Sequence, residues 1–422
     1  MRRRLSDLAR GAVTYGADVL ASANGDLRAA LLLNEYRDRR EYYAQRARSL
    51  GLHYSDGLVA ERTRERLSAR GLSIEPRRLG EIHTLAFVPL LSWHSQLLRP
   101  LQALGPLSHF DNVACGLDHA ALLRRDPTAI AARQTACDAF LDYATEVSRQ
   151  RKIDWVFTYA SAVELLADTV DQVRKITGAP VVGMCFDDKQ SWDGEMFGGQ
   201  RGGQLPLASR LDLAWTSARI ACLWYMAEGG NPIYLPEGCD TDRYSPAPEP
   251  QDVDVCFVGQ AYGFRRVFID KLRRLGLPVR TAGAGWPGGL VTDDEMVRLF
   301  RRSKIILGLG GIGWSPDLKN VKARDFDGPA VGTAVYLTSY NPELAEHFDI
   351  GKEIGCFSSA DECVEVAQDL LANQGRRQSI AQRGRERCLR AHTWVGRFER
   401  VLEVLGVLGD GADSRAKAMR SQ

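Results

Sequence analysis

At 422 residues the chain is longer than one hydrophobic core usually serves, so two domains with additions are expected. Its 45% hydrophobic and 26% charged residues read as an ordinary soluble globular protein, and a formal net charge of only +2 argues against a nucleic-acid partner. The charge is uneven, with 16 Arg against 10 Asp plus Glu in residues 1–80, so any weak peripheral contact with a membrane or a protein partner is expected at that end.

The nine cysteines form no Cys-x-x-Cys pair, and several lie in apolar runs such as Val255-Cys-Phe-Val258. Buried reduced thiols are expected, consistent with a cytoplasmic protein. After Met1-Arg-Arg-Arg4, the charges at Asp7, Arg10 and Asp18 interrupt any signal-peptide core, and the apolar window Leu85–Leu91 is short and broken by Pro89. Neither a cleavable signal nor a bilayer span is predicted.

Residues 1–80 have helical composition, richest over Asn34–Arg48 and Val59–Arg70, and are expected to form a helical N-terminal extension. From residue 81, short apolar runs at Leu85–Leu91, Trp155–Tyr159, Val181–Phe186, Leu213–Thr216 and Ile233–Leu235 predict buried parallel strands. Between them Pro127–Gln150, Ser161–Thr177 and Ser217–Glu228 predict helices, the last with Ser217 as N-cap and Gly229 as its stop. This alternation implies a doubly wound α/β domain over 81–245. A proline-rich stretch, Leu235-Pro-Glu-Gly-Cys-Asp240 to Pro250, then leads into a second α/β domain over 246–393. Its strands are expected at Asp254–Gly259, Val279–Ala282, Lys304–Leu309 and Ala334–Thr338. A helix over 394–408 and a disordered tail over 409–422 close the chain.

Two glycine patterns follow strands of the second domain. Gly259-Gln-Ala-Tyr-Gly263-Phe-Arg265-Arg266 reads as a strand, a turn and a helix start, placing backbone N–H groups and a positive helix end at the strand's carboxyl edge. Gly308-Leu-Gly310-Gly-Ile-Gly313 satisfies G-x-G-x-x-G, but Trp314-Ser-Pro316 is a poor helix opening and no strand-end acid follows about twenty residues on. The motif is read either as a loop that lets backbone approach a ligand or as plain loop glycines.

The run Lys322-Ala-Arg324-Asp325-Phe326-Asp327-Gly328 carries the most information. It puts two cations and two carboxylates around the start of a short helix that ends at Gly332 and feeds the strand Ala334–Thr338. Cations there can neutralise phosphate charge, and an acid one turn on can accept from ribose hydroxyls. With Glu343-Leu344, Phe348, Gly351-Lys-Glu353 and His392-Thr-Trp394, the pattern resembles the nucleotide-binding half of GT-B glycosyltransferases, specifically the CgeB-like (spore maturation protein) branch within the glycosyl transferases group 1. The resemblance spans 81–408 and is strongest over 235–400. Where many such enzymes carry a first donor-side glutamate, this chain has Lys319.

That resemblance implies a GT-B fold, two Rossmann-like domains facing a cleft, with the 394–408 helix crossing back to the first domain. It implies a glycosyltransferase moving a hexosyl or related sugar from a nucleotide-diphosphate donor to an acceptor hydroxyl on a small molecule, glycan or protein, with no metal and no cofactor beyond the donor. Gly259, Arg265, Arg266, Lys322, Arg324 and Asp327 are then the donor-binding candidates. On the acceptor side, Asp187 and Asp188 follow a buried strand at its carboxyl edge, where ligands sit in open α/β sheets. Either is a candidate acid–base group, with His94 as the third; the plain alternatives are loop or cap aspartates and a structural histidine. A binding or assembly protein of the same shape, and a sugar-nucleotide epimerase, are the other functions the pattern allows.

Overall fold

The computed structural model describes residues 2–90, 92–124 and 126–409, with side chains from residue 24 on except at 92, 93, 119 and 123. The tail expected at 409–422 lies outside the described residues from 410 on, as do the side chains of the basic start of the chain. The chain divides into two compact units, one of Arg40–Asp242 with Arg387–Gln422, the other of Met1–Arg39 with Arg243–Glu386. Residues 1–80 are thus shared between the two.

The chain opens with the helices α1 (Arg2–Ser49) and α2 (Val59–Ala69), the expected helical extension. There follow β1 (Thr84–Phe87), α3 (Leu98–Gln102), β2 (Leu107–Phe110), α4 (His119–Arg124), α5 (Pro127–Gln150), β3 (Trp155–Thr158), α6 (Ala167–Thr177), β4 (Val181–Cys185) and α7 (Asp188–Ser191). A small hairpin, β5 (Met196–Phe197) with β6 (Gln200–Arg201), precedes β7 (Leu213–Thr216), α8 (Arg219–Ala227) and β8 (Pro232–Tyr234). The second half runs β9 (Val253–Val258), α9 (Phe264–Arg274), β10 (Arg280–Ala282), α10 (Asp293–Arg302) and β11 (Ser303–Gly308). It continues with the hairpin β12 (Gly311–Ile312) and β13 (Ser315–Lys319), then α11 (Arg324–Ala330), β14 (Val335–Ser339), β15 (Gly355–Phe357), α12 (Ala360–Ala372) and α13 (Gln374–Ala391). The last helix is α14 (Trp394–Leu405).

Each unit holds one parallel sheet. In the unit containing residues 40–242 the strand order is β2-β1-β3-β4-β7-β8, and in the other it is β10-β9-β11-β14-β15. Strands β1, β3, β4 and β7 are buried at every position, as continuous apolar runs covered by helices on both faces must be. The α14 helix adds Trp394, Phe398, Val401, Leu402 and Leu405 to the first sheet's core, where Phe398 meets Trp155, Phe157 and Trp215. Full burial of one such side chain contributes roughly 1.5–3 kcal/mol. Thr393 caps the start of this helix by accepting from the Gly396 N–H at 3.1 Å, and Gly406 ends it with a positive φ of 73°.

The extension is anchored by charge. Asp212, fully buried before β7, accepts from Arg70 at 2.5 Å, from Arg174 on α6 at 2.9 Å and from the Val181 N–H at 2.7 Å. Arg66, one turn from Arg70 on α2, donates to the Leu211, Gly229 and Ser209 carbonyls. A buried carboxylate is tolerable only with such pairing.

Several sequence expectations shift. Strand β1 stops at Phe87, ahead of Pro89, which has no N–H to continue a ladder. The helix expected from Ser161 starts at Ala167, because the Glu164 carboxylate takes the Ser161 N–H and hydroxyl into a tight turn. Ser217 is not the N-cap of α8: its hydroxyl turns to the Phe186 carbonyl at 3.4 Å, and Thr216 Oγ1 accepts the Ala218 N–H instead. The G-x-G-x-x-G run leads into the β12–β13 hairpin and no helix, which removes the dinucleotide-site geometry. All nine cysteines are free thiols, seven of them buried. Among the described residues no helix is long and apolar enough to cross a membrane, and no group of three His, Cys, Asp or Glu is placed to hold a metal ion.

Candidate functional site

In both sheets the first strand lies second from one edge, so successive connections run to opposite sides on leaving it. Ligands in open α/β sheets gather outside the strand carboxyl ends at such a reversal point. In the unit of residues 243–386 that point lies between β9 and β11, and in the other between β1 and β3.

At the β9 end, Gly259 has φ of 153°, its N–H donates to the Ala282 carbonyl at 2.9 Å and its own carbonyl accepts from Trp286 Nε1 at 2.7 Å. Its amide is therefore committed to the fold, which differs from the expected phosphate-facing N–H. The use of glycine there is space: a Cβ would lie 2.6 Å from Arg324 Nη2. Arg324 fills that space with its guanidinium 5.2 Å over the Phe257 ring. Arg265 is buried, 4.5 Å over the Tyr262 ring, and donates to the Gln260 carbonyl at 3.3 Å. Exposed Arg266 donates to the Gly285 carbonyl at 2.6 Å, tying the first turn of α9 to the loop after β10.

The β9–α9 turn is also fixed from the β11 side. Gly263, at φ of 60°, is pressed against the hairpin so closely that a Cβ would stand 1.7 Å from the Gly313 carbonyl oxygen, which accepts the Phe264 N–H at 3.2 Å. The same hairpin turn meets α1, where Gly25 stands against the Trp314 indole with a Cβ position 2.5 Å from Cε3.

The helix α11 carries the charged run. Arg324 opens it, Lys322 is half-buried just before it, and Asp327 in its first turn is buried. Lys319, at the place of the missing glutamate, donates to the Tyr340 carbonyl at 2.7 Å. Asp325, to which sequence reasoning gave no role, is 2% exposed and accepts from the Lys322 N–H at 2.7 Å and the Tyr336 hydroxyl at 2.6 Å. Burial raises its carboxyl pKa, and those two hydrogen bonds oppose the rise.

At the reversal point of the other sheet, the loop after β1 brings the His94 ring 4.6 Å from Tyr159, which follows β3. His94 Nδ1 lies 2.7 Å from the Pro89 carbonyl, and only a protonated nitrogen can bond there. Burial lowers the ring's pKa, while the bond to the Pro89 carbonyl and the negative charge of Asp187 pull the other way; in the neutral ring Nε2 is the acceptor nitrogen. Asp187 is half-buried at the start of α7. Its neighbour Asp188 is fully buried, accepting from Thr216 Oγ1 at 2.5 Å and Tyr225 Oη at 3.0 Å, and burial pushes its pKa up to about 7. The structure thus groups His94, Tyr159 and Asp187 and turns Asp188 into the protein interior.

Two Rossmann-like units of this topology, with a helical N-terminal extension, make the chain a GT-B fold protein. Residues 265–403 match the family described as glycosyl transferase-like. A search of the curated proteins finds no match. Among solved structures, sucrose-phosphate synthase from Thermosynechococcus elongatus is similar over 77% of this chain and 99% of its own, at 10% identity and a TM-score of 0.56. Anabaena HepE in complex with UDP and glucose is similar over the same shares, at 11% identity and a TM-score of 0.52. An E. coli structure described as trehalose-6-phosphate bound with UDP-2-fluoro glucose gives 10% identity and a TM-score of 0.52 over the same shares.

Proposed function

We propose that the protein is a glycosyltransferase that moves a sugar from a nucleoside-diphosphate donor to an acceptor hydroxyl, with basic side chains carrying the diphosphate charge. The observation that carries this reading is the placement of Arg324 beside Gly259 at the sheet's reversal point, with Arg265 over the same Phe257 ring and Lys322 two residues before Arg324. A guanidinium there supplies charge-assisted hydrogen bonds to a leaving diphosphate, which gains negative charge as the glycosidic bond breaks. Lys322, Arg265 and Arg266 add to the same charge, and Asp327 is assigned to the donor ribose. UDP is the first donor nucleotide to test, because HepE binds UDP and UDP-glucose with this fold. The transferred group is assigned as a hexosyl or related sugar.

On the acceptor side, the neutral Nε2 of His94 and the carboxylate of Asp187 are the groups assigned to orient or deprotonate the hydroxyl. Lys322, Arg324, Phe326 and Asp327 fit the Lys-x-Arg-x-Phe-acid spacing of the CgeB-like branch, with an acid one methylene shorter, and support placing the protein there. Nine free thiols support a cytoplasmic location.

The test is acceptor-dependent release of nucleoside diphosphate from a panel of sugar nucleotides, run with and without EDTA. Transfer that survives EDTA is expected. Arg324→Ala should lower turnover roughly ten- to a hundredfold, since a hydrogen bond to a charged group is worth about 1.5–3 kcal/mol, with little change in melting temperature. Unchanged kinetics with a large stability loss would make Arg324 a packing residue and remove the basis of the reading.

A further inference from the structure

Beneath the cationic pair lies a network that the donor assignment alone does not require. Asp325 Oδ2 accepts the Lys322 N–H at 2.7 Å while the Asp325 N–H returns to the Lys322 carbonyl at 2.8 Å, so the turn 322–325 is closed from both sides. Oδ1 accepts from Tyr336 Oη at 2.6 Å and from Thr338 Oγ1 at 3.4 Å, both on one face of β14. The room for these hydroxyls is made by Gly308 on β11, where a Cβ would stand 2.1 Å from Tyr336 Oη and 2.5 Å from Thr338 Oγ1. Gly328 does the same for the Tyr336 ring, with a Cβ position 2.3 Å from Cδ2. Two glycines, a tyrosine and a threonine are thus fitted around one buried carboxylate.

A carboxylate under two cations works against anion binding through its charge, so its presence calls for a geometric reason. Three donors converge on Asp325, and an ionised carboxylate offers about four acceptor positions whereas an amide offers two. No neutral side chain of that size can take all three. The bonds fix the backbone of Lys322 and the first turn of α11, which in turn set where the Lys322 and Arg324 side chains leave the chain. Small displacements of charged groups around a phosphoryl group are costly in rate and affinity.

We infer that Asp325 is a positioning residue for diphosphate recognition: with Tyr336 it locks the 322–325 turn so that Lys322 and Arg324 face the donor diphosphate together. This rests on the donor-site reading above. It predicts a loss that grows with the phosphate part of the ligand, where a packing role predicts a loss independent of it.

The experiment is calorimetric titration of the full chain with UDP and UMP, with GDP/GMP and ADP/AMP in parallel, for wild type, Asp325→Asn and Tyr336→Phe, together with melting temperatures. Wild type should bind one diphosphate more tightly than its monophosphate. Asp325→Asn should lose about tenfold for that diphosphate and less than about twofold for the monophosphate, and Tyr336→Phe about threefold with the same selectivity. Equal loss for both nucleotides, or no loss in a folded variant, overturns the inference while leaving the donor reading standing. If Asp325→Asn does not fold, Tyr336→Phe decides by the same comparison. A wild type that binds none of the diphosphates, or does not prefer them, removes the donor reading and this inference with it.

Discussion

Asp187 and Asp188 show how far adjacent residues of one type can part. Asp188 faces the interior, bonded to Thr216 and Tyr225, with its pKa pushed up to about 7 by burial. An unfolded chain ionises the same group near 4. Between those values the folded state keeps a proton that the unfolded state has released, so stability declines as pH rises from about 4 to about 7 and levels off above. Asp188→Asn does not titrate, and its melting temperature relative to wild type should therefore rise across that window and stay flat beyond it. A difference independent of pH from 4 to 7 would mean that Asp188 is ionised throughout in the fold. From the sequence the two aspartates were equivalent, since both follow the same strand. What separates them is the corner at the start of α7, together with Thr216 and Tyr225 arriving from β7 and α8, and no local pattern records that arrival. The same applies to Asp325, whose partners lie eleven and thirteen residues on and are reached only because β14 returns beside β11.

At the scale of elements, the alternation of apolar runs and helices was legible because parallel strands must be apolar on both faces. Pro127–Gln150 was readable to the residue, since Asp126 caps it by accepting the Ala129 N–H and Pro127 sits where no N–H is needed. The edge strand β2 was missed: Leu107–Phe110 is half-buried along its length and carries no apolar run. The glycine-rich run after β11 was ambiguous for a different reason. Its meaning lies in what approaches it, the Gly263 turn and α1. Gly263→Ala should consequently cost well over the roughly 1–2 kcal/mol of an alanine in a left-handed helical conformation, because φ of 60° with ψ of −137° is backbone essentially reserved for glycine and its Cβ also meets the Gly313 carbonyl. Gly289→Ala in the same unit, at φ of 67° with nothing within 4 Å, should cost only the roughly 1–2 kcal/mol of a positive φ. Urea unfolding of the two variants measures the difference, and equal costs would show that neither the Gly263 backbone nor the hairpin contact adds a penalty.

For the whole molecule, the two sheets repeat one scheme, a first strand set second from the edge and a reversal point beside it; the His94 loop follows the first strand of one and Gly259 the first strand of the other. The extension was legible as helix and illegible as anchor, because arginines on a helix are usually solvated and nothing in their spacing tells which will be held. Arg66 and Arg70 are held by carbonyls and by Asp212. This grip has a consequence for proteases. Trypsin needs the arginine side chain in its own pocket and several residues of extended backbone around it, so the bonds after Arg66 and Arg70 become cleavable only when α2 leaves the sheet. Since α2 cannot leave without stripping a fully buried carboxylate of a partner, its departure should coincide with opening of the entire unit. Native digestion is expected to yield a lasting fragment whose first residue precedes Arg66, with no intermediate cut there, and early nicking at either arginine would show that the extension peels away on its own.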